Sequence, residues 1–192
     1  MSERFSSPTY LVRRKVLTLV GAAFHIFDGE GRLVLFSKLK AFKLKEDIRL
    51  FTGEDMTEEL LAIRARKVLD ISATYDVTDS RTGERIGAVQ RKGLRSVLRD
   101  EWVLRDATDR EIGTVREDSV GLALVRRFLS NLVPQSFDVE MAGQKVATVR
   151  QNFNPFVLKL TVDFSLDRNG LLDRRLGLAA VILLCAVEGR QG

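Results

Sequence analysis

Leu176-Gly-Leu-Ala-Ala-Val-Ile-Leu-Leu-Cys-Ala-Val187 is a run of twelve residues without a charge. Asp173-Arg174-Arg175 precede it and Glu188-Gly189-Arg190 follow. A bilayer span needs about 20 such residues, and a run of this length reads as a buried core helix. A helix that is apolar on every face has to be surrounded by protein. Asn169-Gly170 is a turn dipeptide ahead of the run, so the helix is expected over about 171–187. Asp173 falls in its first turn, where a carboxylate favours the positive end of the helix dipole. Glycine costs about 1 kcal/mol relative to alanine inside a helix, so Gly177 marks a point of tight packing. Leu171, Leu172, Leu176, Leu178, Val181, Ile182, Leu183, Leu184 and Val187 are the large apolar side chains this helix has to bury.

Upstream, the chain reads as strands separated by turn chemistry. Phe24–Asp28 ends in Asp28-Gly29-Glu30-Gly31 and Arg32–Lys38 returns, a hairpin with a glycine-containing connection. Three further hairpins join Tyr75–Asp79 to Arg85–Gln90, Trp102–Asp106 to Glu111–Arg116, and Phe137–Met141 to Lys145–Arg150. Their second strands share a pattern: Ile86-Gly87-Ala88-Val89, Ile112-Gly113-Thr114-Val115 and Val146-Ala147-Thr148-Val149. The small residue at the second position lets another backbone or a bulky group come close. Strands at about 9–17 and 22–28, bent at Gly21, and segments near 46–52, 58–67 and 156–164 bring the expected total to about twelve. Many short strands with turn signals point to a sandwich or a barrel. The all-round apolar helix selects a sheet wrapped around it. The expected fold is mainly β (α+β): a closed, roughly 12-stranded antiparallel barrel enclosing the C-terminal hydrophobic helix, as a single domain over 1–192. Leu122, Val125, Phe128, Leu129 and Leu132 recur at helical spacing before Pro134 and predict one helical insertion.

Composition sets broad limits. Apolar content of 45% and charged content of 30% are ordinary for a soluble globular domain. The formal charge of +5, from 31 basic and 26 acidic residues, permits attraction to an anionic surface without demanding it. Cys185 is the single cysteine, which excludes an intrachain disulfide framework and a cysteine metal site. Its place in the apolar run reads as a small buried hydrophobe. Arg13-Arg14-Lys15 ahead of Val16–Phe27 resembles the charged and apolar regions of a signal peptide. The long polar lead-in, the missing Ala-x-Ala site and His25 within the run favour two strands instead. No stretch is long enough to span a membrane, and a cytoplasmic location is expected.

Several of these features converge on a family. Tyr10-Leu-Val-Arg-Arg-Lys15 leads to Phe24-His-Ile-Phe-Asp28-Gly-Glu-Gly31, followed by Leu44-Lys-Glu-Asp-Ile-Arg-Leu50, Asp100-Glu-Trp-Val-Leu104 and Ile112-Gly-Thr-Val115. With the end of the chain, from Asp173 through the apolar run to Glu188, this resembles the tubby-like superfamily, and within it the LURP-one-related and phospholipid-scramblase branch. The resemblance covers nearly the whole chain and implies a twelve-stranded barrel around a C-terminal helix. It also implies a link to phospholipids, since tubby domains bind phosphoinositides through basic residues. Scramblase relatives carry an acidic calcium segment before the last strand and helix. Here the corresponding stretch, Asn152-Phe-Asn-Pro-Phe-Val-Leu-Lys159, contains no acid, and a hard cation needs several oxygen ligands. Calcium is therefore not expected there.

Residues with catalytic chemistry are sparse. His25, the only histidine, lies in an apolar strand and reads as a packed or surface residue. No glycine-rich phosphate loop follows a strand and no metal-ligand spacing occurs. Glu58-Glu59 and Glu117-Asp118 are adjacent carboxylates that read as solvated. Neither a catalytic residue, a cofactor nor a metal is expected. Basic clusters are the positive signal. Lys38, Lys40, Lys43 and Lys45 have no acid among them, Arg64 and Arg66 alternate along a strand, and Arg91, Lys92 and Arg95 lie in an acid-free stretch. These nine residues form the candidate lipid-headgroup surface. The competing reading is a solvated barrel exterior, where lysine also blunts strand edges. Nucleic acid is disfavoured because aromatics are not interleaved with the basic clusters. Two functions follow: a non-enzymatic module peripheral to the inner face of a membrane, with anionic phospholipids as partner, or a soluble scaffold with a protein partner and no lipid affinity. Because residues 9–28 are read as barrel strands, the intact mass of protein from the native host should include them; a mature form beginning near Phe24 would contradict the strand reading.

Overall fold

The structure is a computed structural model that describes residues 3–17, 21–40, 47–66, 73–92, 101–118, 135–152 and 157–187. A 3₁₀ turn (Glu3–Phe5) precedes β1 (Thr9–Leu17), β2 (Gly21–Asp28), β3 (Leu33–Lys40), β4 (Asp47–Phe51), β5 (Glu59–Ala65) and β6 (Thr74–Asp79). Then come β7 (Arg85–Arg91), β8 (Glu101–Arg105), β9 (Glu111–Glu117), β10 (Ser136–Met141), β11 (Gln144–Asn152), β12 (Leu158–Asp163) and a helix, α1 (Arg174–Val187). The twelve strands form one closed antiparallel barrel, each paired with its sequence neighbours and β1 closing on β12. The expected strand at about 22–28 begins one residue earlier, at the bend residue Gly21, which pairs with Leu17. The expected helical insertion around 122–132 lies outside the described residues.

Alternation decides which side chains meet the helix. Tyr75 and Val77 of β6 point inward and are buried, while Asp76 and Thr78 between and beside them face out. Tyr10 and Val12 of β1, Phe24 and Ile26 of β2, Trp102 and Leu104 of β8, and Val149 of β11 do the same. The helix fills the middle: Leu176 and every residue from Leu178 to Ala186 are at most 3% exposed. Cys185 is among them, buried as its sequence context suggests. Two positions depart from the sequence reading. The helix starts at Arg174 and not near 171, and Leu171 is 42% exposed. Asp173 stands just ahead of the helix and accepts from the Arg175 backbone N–H, so it serves as N-cap. The side chain of Val187 is outside the described set.

Small residues let the wall close on itself and on the helix. A Cβ on Gly87 would collide with the Arg105 carbonyl oxygen of the next strand and crowd Leu176 Cδ2 at 3.3 Å. A Cβ on Gly113 would lie 2.5 Å from the Glu140 carbonyl oxygen. Both lie in strands next to register shifts, at Leu104/Arg105 and Val139/Glu140, where a bulge bends the neighbouring strand. Gly177 plays the matching part on the helix, since a Cβ there would be 2.8 Å from the Phe164 ring.

Both ends of the helix are held by polar side chains, from the connecting turn at its start and from the wall at its far end. At its start the Asp167 carboxylate, fully buried, accepts from the backbone N–H groups of Leu171 and Leu172 and from Arg174. Arg175 pairs with Asp79 at 2.8 Å, where β6 turns into β7. At the far end Arg14, inward-facing on β1, donates to the Cys185 carbonyl at 3.2 Å. That carbonyl belongs to the last turn, which has no intrahelical donor.

Each large apolar side chain buried on α1 contributes about 1.5–3 kcal/mol, and the whole domain has only about 5–15 kcal/mol net. A fragment ending at Gly170 should therefore show no cooperative thermal transition. Gly177→Val should lower stability by about 1–3 kcal/mol in a denaturant titration, the usual effect of overpacking a filled site.

Candidate functional site

With the interior occupied by α1, a partner has to be met on the outer wall or its rims. The nine basic residues expected from the sequence fall in different settings. Lys38 is exposed on the outer face of β3. Lys40 ends β3, and its side chain, like all of Lys43, Lys45 and Arg95, lies outside the described residues. Arg64 is exposed with Asp47 3.7 Å away. Arg66 hydrogen-bonds Asp76 through two nitrogens and also reaches Asp109. Lys92 meets Glu101 at 2.8 Å. Arg91 is opposite the buried Trp102 and places its guanidinium 5.9 Å from that ring's centroid, a cation–π contact.

Charge compensation is common across the wall from β4 to β11. Arg66 and Arg85 share Asp76 and Asp109, and Arg85 also donates to the Ala107 carbonyl. Arg49 joins Asp47 to Glu59. Glu101 takes both Lys92 and Arg116, and Lys145 meets Asp138 at 2.7 Å. Apart from Asp47, which shares β4 with Arg49, these carboxylates lie on neighbouring strands or turns, so counting basic residues within one stretch does not reveal them.

One region of the wall differs. Arg13 of β1 is directly opposite Lys159 of β12, and both face out. Lys15 of β1 is opposite Ala23 of β2, which is opposite Lys38 of β3. Register thus gathers Arg13, Lys15, Lys38 and Lys159 across four adjacent strands, with small Ala23 between two of the lysines. Among the described residues none of the four has a salt bridge or a side-chain hydrogen bond. Like charges directly opposite each other on a sheet are destabilising, so the Arg13–Lys159 pair costs stability where it stands. The patch is bounded by His25, whose Nε2 lies 2.8 Å from Glu54 and whose ring meets Phe27 and Phe36. Arg13, Lys15 and Lys159 were not singled out by sequence. Arg13-Arg14-Lys15 reads as an unbroken basic run, and only the inward turn of Arg14 shows that its neighbours share the outer face.

What this arrangement can do is bind anions. Exposed Arg13, Lys15 and Lys38 and half-buried Lys159, with no carboxylate partner among the described residues, attract a negative surface, and salt screens them. Among the described residues no cluster of three or more histidine, cysteine or acidic side chains could hold a metal, and no helix is long and apolar enough to cross a membrane.

The sequence matches the model of the LURP-one-related family over residues 9–185, from the first residue of β1 into the last turn of α1. The chain belongs to the LURP-one-related family, part of the tubby-like superfamily. A search of curated proteins gives no significant match. A search of solved structures gives none either. Membership suggests a tubby-like binding domain, in a family generally without enzymatic activity.

The paired carboxylates predict the acid limb of stability. Burial opposes ionisation of Asp76, but hydrogen bonds from Arg66 and Arg85 outweigh it and hold its carboxyl below the usual range. Hydrogen bonds from Arg66 and Arg85 lower Asp109 directly. Burial of Glu101 is likewise outweighed by Lys92 and Arg116. Hydrogen bonds led by the Thr108 hydroxyl draw Asp106 down to about 2. Folded values below unfolded ones mean that the unfolded chain binds more protons on acidification. This stability is present above about pH 4, the unfolded carboxylate range, and is lost as pH falls through the folded values. The melting temperature should be flat from neutrality to about pH 5 and fall steadily toward pH 2. Asp76→Asn should melt lower at neutral pH and show a shallower acid slope.

Proposed function

We propose that this domain is a non-enzymatic binding module that associates peripherally with anionic phospholipid membranes, at the cytoplasmic face. The observation that carries the reading is the group of Arg13, Lys15, Lys38 and Lys159, none of them ion-paired among the described residues, on a wall where basic residues elsewhere are widely ion-paired. A cross-strand pair of like charges lowers stability, and an anionic partner would relieve that cost. Membership of a tubby-like family supports a binding role. Arg66 and Lys92 contribute less in this reading, because each is already committed to carboxylates. Lys38 is shared with the surface expected from sequence.

Each basic residue near an anionic surface is worth about 1 kcal/mol, so the four contribute roughly 4 kcal/mol. That is enough for reversible partitioning and too little for permanent anchoring. Co-sedimentation with vesicles should show binding that rises with anionic lipid content and disappears as salt approaches about 1 M, where the Debye length is about 3 Å. Exchanging Arg13, Lys15, Lys38 and Lys159 for glutamate should abolish binding, whereas Lys92→Ala should change it by less than about fivefold. Equal recovery on neutral and anionic vesicles would favour a soluble scaffold that binds protein.

A further inference from the structure

The inference drawn here rests on the membrane-binding reading and narrows it to a headgroup. A groove of about 360 Å³ runs over the outer face of β11 and β12, lined by Lys145, Thr148, Arg150, Thr161, Asp163 and Leu166. Thr148 is opposite Asp163, and Arg150 is opposite Thr161. Thr161 and Lys159 share the outer face of β12 two residues apart, about 7 Å along the strand. Lys159 is in turn opposite Arg13. The groove therefore opens onto the basic patch.

Its lining is mixed in a way that a plain anion does not need. Arg150 is an exposed cation at the patch end. Asp163 lies further along, with its carboxyl held below the usual range by hydrogen bonds from Ser165, so it is an acceptor at neutral pH. The Thr161 hydroxyl donates to Asn152 and keeps its lone pairs, and the Thr148 hydroxyl has no partner among the described residues. Leu166, 52% exposed, supplies an apolar flank. A bare phosphate or carboxylate would find Arg150, Lys159 and Arg13 attractive and Asp163 repulsive. An ammonium would face Asp163 in the field of those three cations, with Lys145 already held by Asp138. A phosphate that carries hydroxyl groups suits both halves.

We propose that this groove takes a polyol phosphodiester, the glycerol-type headgroup of an anionic phospholipid. The phosphate sits on Arg150, Lys159 and Arg13. The headgroup hydroxyls donate to Asp163 and exchange hydrogen bonds with Thr148 and Thr161. The carbon skeleton lies against Leu166.

The test compares vesicles of phosphatidylcholine carrying equal fractions of phosphatidylglycerol or phosphatidylserine, which have the same net charge. The full chain should bind the phosphatidylglycerol vesicles at least about fivefold more tightly, the effect of one net hydrogen bond. Thr148→Val with Thr161→Val, near-isosteric and suited to strands, should erase that preference while keeping binding to both vesicles and the melting temperature. Asp163→Asn provides a second variant, which should weaken the preference and leave phosphatidylserine binding equal or stronger. Equal binding of the native chain to both vesicles would overturn the groove and leave the membrane reading standing. A preference that survives the threonine changes would also overturn it. No binding to either vesicle would overturn both. Free glycerophosphoglycerol bound as tightly as the vesicles would make the soluble ester the ligand and overturn the lipid assignment.

Discussion

A helix without a polar face has no stable place except inside a wall, and the rest of this molecule is arranged around that constraint. Leu178 to Ala186 turn apolar atoms in every direction, so a sheet covering one face would leave the others wet. Twelve short strands close the sheet around them. Closure demands close approach, which explains glycine at Gly87 and Gly113, where neighbouring carbonyls occupy the space of a side chain. It also demands that the helix ends be satisfied. Asp173 caps the first turn, Asp167 holds the turn leading into it, and Arg14 of the wall serves the carbonyl of Cys185 at the last. Arg14 is a charged residue in a core-facing position because a helix terminus buried in a barrel needs a donor that water cannot supply.

A filled barrel moves function to its outer surface. There the cross-strand geometry that fixes the fold also sorts the charges. Between β4 and β10 opposite charges fall on adjacent strands and neutralise each other, as in the shared use of Asp76 and Asp109 by Arg66 and Arg85. Exposed pairs of this kind add little stability one by one. Their larger consequence is that the wall there offers a partner little free charge. The faces of β12, β1 and β3 offer more, because register brings Lys159, Arg13, Lys15 and Lys38 near one another and none has a carboxylate partner among the described residues.

The barrel was legible in the sequence because its determinants are local. The charge-free run, the glycine-punctuated hairpins and the small residue at the second position of three returning strands are each visible within a few residues. Leu171 shows the limit of that reading. It is apolar and adjacent to the helix, yet it sits in the turn that Asp167 organises and remains exposed. The candidate site was only partly legible. Lys38 is found by counting lysines. Lys159 and Arg13 are not, because strands from opposite ends of the chain bring them together, and a local window holds neither partner. The same blindness works in reverse for Arg66 and Lys92, whose neutralising carboxylates lie on other strands or turns.

The position of the basic patch on the strand order gives it a further property. β1 and β12 are the first and last strands, and their pairing is the seam that closes the sheet. Arg13 opposite Lys159 places a repulsion across that seam, while Tyr10 and Val12 behind it are buried against the core. The apolar face holds the seam shut and the outer face opposes it. An anion bridging Arg13 and Lys159 would remove the opposition. It would bind the closed barrel in preference to any state in which β1 and β12 have parted, and so stabilise closure by mass action. Binding at this place and closure of the fold are then linked through one pair of residues, which the paired charges elsewhere on the wall are not arranged to do.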